Sequence, residues 1–247
     1  MPTVTTAPLT HASSRAVPLR LVEKYFYAFM SLLIAGVVTY GFSHTVNKNL
    51  VHAAVPRPAI LWAHGFLFTG WLAFFILQSL LVRVRSVKVH RTLGWFGAAM
   101  GLGVFVIGIA TTLVMTKFHF HILHETDMSF VLVPFWDMAC FAIAFGLAIY
   151  WRKRPDYHRR LALIATCTLT AAGFGRFPSY ILPPGLFYVG VDLLIVLGVA
   201  RDLLIDKRVN AVYKAALPIL FAGQAFVMYI VITKPEFWTR IATAIAR

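Results

Sequence analysis

Single polar or ionisable residues interrupt several otherwise apolar stretches of the chain. His64, Asp137, Arg176 and Asp192 each lie among Leu, Ile, Val, Phe, Ala and Gly residues, and Gln224 occupies a fifth stretch. A charge inside a bilayer costs several kcal/mol unless it is paired or lines a cavity. At a rise of about 1.5 Å per residue, the four ionisable residues lie about 9 to 12 Å from the same side of a helical bundle. The shared depth predicts one interior site.

Two kinds of chemistry suit these residues. The planar guanidinium group of Arg176 can bind two carboxylates, which predicts an Asp137–Arg176–Asp192 network that fastens helices together. The same network could instead line a pocket, in which His64 serves as a proton carrier, ligand or hydrogen-bond donor. The two interpretations are compatible, and the sequence leaves both open.

A second group of candidate ligands lies in one loop, and it contains His119, His121, His124 and Glu125. Imidazole and carboxylate groups suit Zn, Fe or Cu ions, so this loop is a candidate metal site. Its spacing matches no standard zinc motif, and solvent-exposed histidines are the alternative. Haem b fits less well, because paired axial histidines within helices are needed and His64 alone lies deep. His90 and His158 lie on the opposite side, at helix starts.

The elements that must position these residues are seven apolar runs. The chain is 60% hydrophobic and 13% charged, well below the roughly one quarter of charged residues in soluble domains. Each run approaches the roughly 20 residues that cross a bilayer as a helix, and none alternates like a barrel strand. The sequence predicts an all-α integral membrane bundle of seven transmembrane helices, at residues 25–42, 58–82, 92–115, 129–151, 160–182, 185–205 and 212–232.

The formal net charge of +14 is distributed unevenly. Sixteen of the 23 Lys and Arg residues precede the first run or lie in the second-to-third, fourth-to-fifth and sixth-to-seventh connections. This positive-inside pattern predicts a cytoplasmic amino terminus and an outer carboxyl terminus. The charge therefore indicates contact with the lipid bilayer rather than with nucleic acid. Other membrane subunits or further copies of the chain remain open as partners.

The chain divides into three regions. Residues 1–20, rich in Thr, Ser, Ala and Pro, are predicted to be a disordered cytoplasmic tail. Residues 21–232 form the transmembrane domain, and residues 233–247 are predicted to be an amphipathic segment on the outer surface. The two cysteines lie inside apolar runs, so a disulfide framework is not expected.

Two stretches carry a resemblance to known proteins. The first has His64-Gly65, Gly70-Trp71, Gln78 and His90-Arg91; the second has Pro134, Asp137, residues 157–161 (Tyr-His-Arg-Arg-Leu) and Arg176. Over roughly residues 60–200 they resemble an uncharacterised group of bacterial polytopic membrane proteins, which implies a multi-pass protein of the bacterial inner membrane. The chain more loosely resembles di-haem ferric-reductase-type cytochromes through its His…His-Arg pattern, and seven-helix zinc hydrolases through its orientation.

These observations predict a polar pocket in the outer half of the bundle that binds a metal or small ligand, with redox chemistry as one option. The alternatives are a proton-coupled transporter of small solutes and a non-catalytic assembly or scaffold subunit of a membrane complex. Few buried polar residues are expected in the inner half, which disfavours a continuous transport route. The sequence does not decide whether the protein is an enzyme.

Overall fold

The structure, a computed structural model, describes residues 17–247, and helices make up most of this range. We number the α-helices in chain order as α1 (Val17–Ser43), α2 (Ile60–Arg83), α3 (Val87–His121), α4 (Leu132–Tyr150), α5 (Pro155–Thr168), α6 (Ala171–Phe174), α7 (Phe187–Ile205), α8 (Ala211–Thr233) and α9 (Glu236–Ala246). A π-helical turn at Asn47–Val51 and a 3-10 turn at Ser129–Val131 complete the regular structure. Residues 17–247 contain no strand, which confirms the all-α prediction.

Five helical stretches are long and apolar enough to cross a membrane. Their apolar side chains point outward as well as inward: Phe66, Leu102 and Ile219 are 76%, 64% and 65% exposed. Apolar surface on this scale needs cover from lipid or from another protein. The helices therefore have the length, composition and exposure expected of a multi-pass membrane protein, in Leu19–Ser43, Ile60–Arg83, Val87–His121, Ser129–Tyr150 and Ala211–Thr233.

The fifth predicted run, residues 160–182, is not a continuous helix. α5 ends at Thr168, a turn follows, α6 is one turn long, and the chain leaves helical structure at Gly175. The hydroxyls of Thr166, Thr168 and Thr170 donate to carbonyls three or four residues back, at 2.6 to 2.9 Å. Such side-chain bonds bend or interrupt helices. Pro178 then disfavours helical structure in the residue before it.

The predicted disordered tail, residues 1–20, extended too far along the chain. Residues 1–16 lie outside the described residues, but Val17–Arg20 already belong to α1. Leu19, Leu21 and Val22 extend the apolar sequence of the first run toward the amino terminus, so helical structure begins before residue 21.

The carboxyl-terminal segment forms α9, which packs back onto the bundle. Ala242 and Ala246 are buried against Met128 and Val131, and the Trp238 indole Nε1 donates to the Ser129 carbonyl at 3.0 Å. The amphipathic face of α9 is therefore held by the connection between α3 and α4.

Close packing around α3 depends on its glycines. A Cβ atom at Gly97, Gly101 or Gly108 would overlap a neighbouring side chain, from Phe74, Phe145 or Met138 respectively. Small residues let helices approach closely where no water is available to drive association. This packing holds α2 and α4 against α3.

Candidate functional site

The predicted interior cluster divides into an acidic part and a basic part. In the acidic part, the Tyr188 hydroxyl donates to Asp137 Oδ1 and Gln224 Nε2 donates to Asp192 Oδ1, each at 3.0 Å. Tyr188 and Asp192 are four residues apart on α7, so they share a face of that helix. We call Asp137, Tyr188, Asp192 and Gln224 the acidic layer; it connects α4, α7 and α8.

The basic part consists of His64 and Arg176. The His64 ring stacks on Phe68 with ring centroids 3.9 Å apart, and its Nδ1 is buried without a hydrogen-bond partner. The Arg176 guanidinium lies over the Phe42 ring at 4.2 Å and donates from Nη1 to the Ala172 carbonyl. Arg176 is close enough to His64 for its charge to act on the imidazole.

The predicted Asp137–Arg176–Asp192 network is wrong. Within residues 17–247, no carboxylate forms an ion pair with Arg176. The reason is the interrupted fifth helix: Arg176 follows the end of α6 and its guanidinium binds a carbonyl of that short helix. The shared depth was inferred from an uninterrupted helix that the chain does not form.

The acidic layer has a distinctive chemistry. Asp137 is 9% exposed, and the described residues provide its carboxyl group with a tyrosine hydroxyl but with no ion-pairing cation. An ionised carboxylate in apolar surroundings is costly without a cation, whereas a neutral acid with a hydrogen-bond partner is not. The partner of Asp192 is likewise an uncharged amide. Neither carboxyl group has an ion-pairing cation among the described residues, and the surroundings of the more buried Asp137 favour the neutral acid.

The candidate metal ligands do not converge. His119 Nδ1 lies 2.9 Å from Glu125 Oε2, while His121 and His124 are exposed. α3 ends at His121, and His124 adopts a left-handed backbone conformation with φ of 55°. Throughout residues 17–247, no three His, Cys, Asp or Glu side chains are grouped to hold a metal ion. The predicted metal site in this loop is not formed.

The two inner-face histidines come together. The rings of His90 and His158 contact each other edge to face, with centroids 6.1 Å apart. His158 Nδ1 donates to the Ala148 carbonyl at 2.9 Å, and Gln78 Nε2 donates to the His90 carbonyl at 3.4 Å. The contact links the amino-terminal ends of α3 and α5 to the carboxyl-terminal end of α4.

A buried ionic cluster, which the sequence analysis missed, joins α5 to α7. Arg160 binds both oxygens of Asp202, from Nε at 2.8 Å and from Nη2 at 2.5 Å, and Nη2 also donates to Asp206 at 2.8 Å. Arg201 Nη1 donates to Asp202 at 3.1 Å and to Asp206 at 2.6 Å. We call Arg160, Arg201, Asp202 and Asp206 the ionic cluster.

Burial and electrostatics distinguish this cluster from a surface ion pair. Arg160, Arg201 and Asp202 are 2%, 3% and 0% exposed. Burial opposes ionisation of Asp206, but Arg201 and Arg160 outweigh it and hold the pKa of Asp206 below its usual value. The Asn210 backbone N–H completes the shell of Asp202 at 3.2 Å.

The sequence did contain a signal for the ionic cluster. Arg201-Asp202 falls inside the apolar run 185–205, and Asp206 follows one helical turn after Asp202. Arg160 and Arg201 were assigned to the connections between apolar runs, so their pairing with these acids was not predicted. The role of Tyr188 as a hydrogen-bond donor was not predicted. In an apolar run, the sequence does not distinguish such a tyrosine from one that only packs in the core.

A second polar surface lies where α9 meets the rest of the chain. Lys234 Nζ pairs with Asp127 at 2.6 Å, and the Ser129 hydroxyl donates to the same carboxylate at 2.5 Å. These bonds lower the pKa of Asp127 to about 2, with Lys234 the larger cause. A cavity of about 200 Å³ beside this pair is lined by Thr126, Asp127, Met128, Lys234, Thr239 and Thr243.

Comparison with known proteins found no matching family model, no matching curated protein and no matching solved structure.

Proposed function

We propose that this chain is a multi-pass protein of the bacterial inner membrane that moves a small solute together with protons. One observation carries the proposal: α7 bears two polar layers. The acidic layer lies in the first half of the helix and the ionic cluster at its end.

The proposed topology has seven spans, with the amino terminus in the cytoplasm and the carboxyl terminus outside. Five spans are the long apolar helices. α7 would be a sixth, since Arg201 and Asp202, two of its three charged residues, neutralise each other within the ionic cluster. The interrupted pair α5 and α6 would be another. The excess of Lys and Arg on one side supports the orientation.

A transport route needs polar residues in both halves of the bundle, and the two layers provide them. The sequence predicts few buried polar residues in the inner half, but the ionic cluster supplies them. Asp192 and Asp202 are ten residues apart on one helix, or about 15 Å along its axis. Ionisable residues inside membrane helices mark ion and proton pathways when they face the bundle interior.

The break between α5 and α6 supports the same function. Leu169 and Thr170 separate the two helices, and the buried Thr166, Thr168 and Thr170 surround the break. Leu169 and Thr170 keep right-handed dihedral angles, with φ of −73° and −81°, so the break is a local distortion of the helix at buried positions. In transporters, interrupted helices form the substrate site near the middle of the bilayer.

Three residues of the acidic layer would carry the proton, and the neighbouring basic residues would act on the solute. Asp192 is half-buried and would exchange protons with the solvent-facing side. Asp137 is buried and would hold the proton in the bundle, and Tyr188, on the same helix face as Asp192, would pass it between them. Arg176, with no carboxylate partner in the described part of the chain, would attract an anionic solute, and His64 would offer it a hydrogen bond.

The proposal is tested with purified protein in liposomes that contain a pH-sensitive dye. Inward gradients of lactate, inorganic phosphate, alanine and glucose are imposed one at a time. We expect at least one solute to acidify the interior with wild-type protein, and the signal to be lost in Asp192→Asn. Glu236→Gln, on exposed α9, is the matched control and should retain the signal. No acidification with any solute, or an unchanged signal in Asp192→Asn, would contradict the proposal.

A structural observation favours a second candidate, a subunit of a larger membrane complex. An apolar groove of about 310 Å³ runs between α3 and α4, lined by Ala98, Gly101, Leu102, Phe105, Phe141, Ala142, Phe145, Gly146 and Ile149. Small residues on an apolar surface suit the close approach of another helix. In this case Gly146→Leu, at a position with open space around it, should dissociate the complex while leaving the monomer folded.

A further inference from the structure

Four hydrogen-bonding groups near the ionic cluster are buried and have no partner among residues 17–247. They are the hydroxyls of Tyr27 and Tyr213 and the Nε atoms of Arg159 and Arg201. Tyr213 is fully buried and Arg201 is 3% exposed. Buried polar atoms in native proteins almost always have partners, so four unpartnered donors in one region need an explanation.

The four groups belong to one site. The Arg159 guanidinium lies 5.5 Å from the centroid of the Tyr27 ring, and the charges of Arg159 and Arg201 both act on the Tyr27 hydroxyl. Tyr213 in turn interacts electrostatically with Tyr27. α1, α5, α7 and α8 each contribute one of the four residues.

Gly198 makes room for the Tyr213 hydroxyl. A Cβ atom at Gly198 would overlap this oxygen, so only glycine lets it lie against α7. The phenol is thus held at a defined position rather than left in an unfilled gap.

The neighbouring acids are already engaged by other donors. Arg160 donates to Asp202 through Nε and Nη2, Arg201 donates to Asp202 and Asp206, and Asn210 donates to Asp202. Arg160 Nη1 is also engaged, by the Asp156 carbonyl at 2.7 Å. The described part of the chain therefore leaves these four groups without an acceptor, because the nearby carboxylates are bound by other donors.

We propose that Tyr27, Arg159, Arg201 and Tyr213 bind a phosphate group, carried by an anionic lipid or present as a free ion. Guanidinium groups and tyrosine hydroxyls are strong donors to phosphate oxygens. Arg159 can turn toward the ligand because its pair with Asp156 is solvent-exposed, at 34% and 70% side-chain exposure, and such pairs contribute little. Arg152, Lys153 and Arg154, exposed in the connection that leads into α5, would raise the local concentration of anions at the end of α5 that carries Arg159.

The test measures binding to the full-length protein in a neutral detergent by native mass spectrometry. Inorganic phosphate and short-chain phosphatidylglycerol are the two probes, and short-chain phosphatidylcholine is the zwitterionic comparison. Binding of free phosphate identifies an ion site, while binding of phosphatidylglycerol alone identifies a lipid site; either result supports the proposal. Binding of neither, or equal binding of phosphatidylcholine and phosphatidylglycerol, overturns it.

Tyrosine variants localise the site. Tyr27→Phe and Tyr213→Phe remove one oxygen each and should weaken the bound probe about tenfold, the scale of a lost hydrogen bond to a charged group. Tyr150→Phe, on the exposed end of α4, is the control and should bind like wild type. A cooperative thermal unfolding transition in each variant shows that it is folded. Unchanged affinity in folded Tyr27→Phe and Tyr213→Phe would overturn the proposal. The assay applies no solute gradient, so its outcome is independent of transport.

Discussion

Asp137 on α4 and Asp202 on α7 are both buried, but different groups surround them. Asp137 accepts a hydrogen bond from Tyr188, whereas Asp202 is bound by the guanidinium groups of Arg160 and Arg201. The first environment suits a neutral acid and the second suits an ionised one. The same residue type therefore serves proton exchange in one layer and ion pairing in the other.

Substitution should separate these roles. Asp202→Asn leaves two buried arginines short of negative charge, and we expect it to destabilise the protein by about 3–5 kcal/mol. Asp137→Asn stays uncharged and still accepts from Tyr188, so its cost should be at most about 1 kcal/mol. Thermal unfolding of both variants in one detergent provides the comparison. Equal destabilisation would show that the two carboxyl groups do not differ in charge.

The Asp127–Lys234 pair should make the attachment of α9 sensitive to acid. The pKa of Asp127 is lowered to about 2, from about 3.9 in an unfolded chain. Its stabilising contribution is therefore fully present above about pH 4 and is lost as the pH falls toward 2. The ¹⁹F resonance of 5-fluorotryptophan at Trp238, assigned with Trp238→Phe, should shift over this range. In Asp127→Asn the Trp238 resonance should no longer respond; a persistent shift would exclude Asp127 as its origin.

At this scale the sequence predicts which residues are buried and ionisable better than it predicts their partners. The sequence placed Asp192 and Gln224 at one depth, and their side chains form a hydrogen bond, while Asp137 bonds to Tyr188 one helical turn before Asp192. Arg176 was misplaced because depth does not give direction around the helix axis and because its helix is interrupted. The partners of Asp202 come from residues up to 42 positions away, which spacing alone does not reveal.

Among the helices, α7 organises both polar layers, and its contact with α8 depends on Gly198. Gly198→Ala would force the Tyr213 hydroxyl away from α7. We expect a loss of about 1–3 kcal/mol, the usual cost of overpacking a core. Adding Tyr213→Phe should recover part of that loss because it removes the overlapping oxygen.

Gly36→Ala is the matched control for this experiment. Gly36 lies inside α1 and a Cβ atom there would meet nothing within 4 Å. Alanine should therefore stabilise α1 by about 0.5–1 kcal/mol through its better helix propensity. If Gly198→Ala melts at the same temperature as Gly36→Ala, the close fit of Tyr213 against α7 does not contribute to stability.

Helix boundaries show what a hydropathy pattern can and cannot predict. α2, α4 and α8 follow their predicted runs closely, because each is a long apolar stretch between polar breaks. α5 and α6 depart from theirs, because threonine side chains compete for backbone carbonyls within an otherwise apolar run. The interruption depends on hydrogen bonds that hydropathy does not measure.

For the whole molecule, the proposed orientation predicts which surfaces face the cytoplasm. A single cysteine at Lys153, in the exposed connection before α5, should be shielded from a membrane-impermeant maleimide added to intact cells. One at Glu236 should react. Both native cysteines are first replaced by alanine, and labelling after permeabilisation shows that each site is reactive. The opposite pattern would reverse the orientation of the bundle.

Infrared spectroscopy of the protein in lipid tests most directly whether buried Asp137 carries a proton, as a proton-coupled mechanism requires. A protonated carboxyl group has a C=O stretching band that an ionised group lacks. The chain has nine Asp and Glu residues, so single substitutions can assign the band. At neutral pH we predict a protonated-carboxyl band that shifts in D₂O, loses intensity in Asp137→Asn, and persists in Glu236→Gln. Absence of the band, or full intensity in Asp137→Asn, would contradict the proposed neutral state of Asp137.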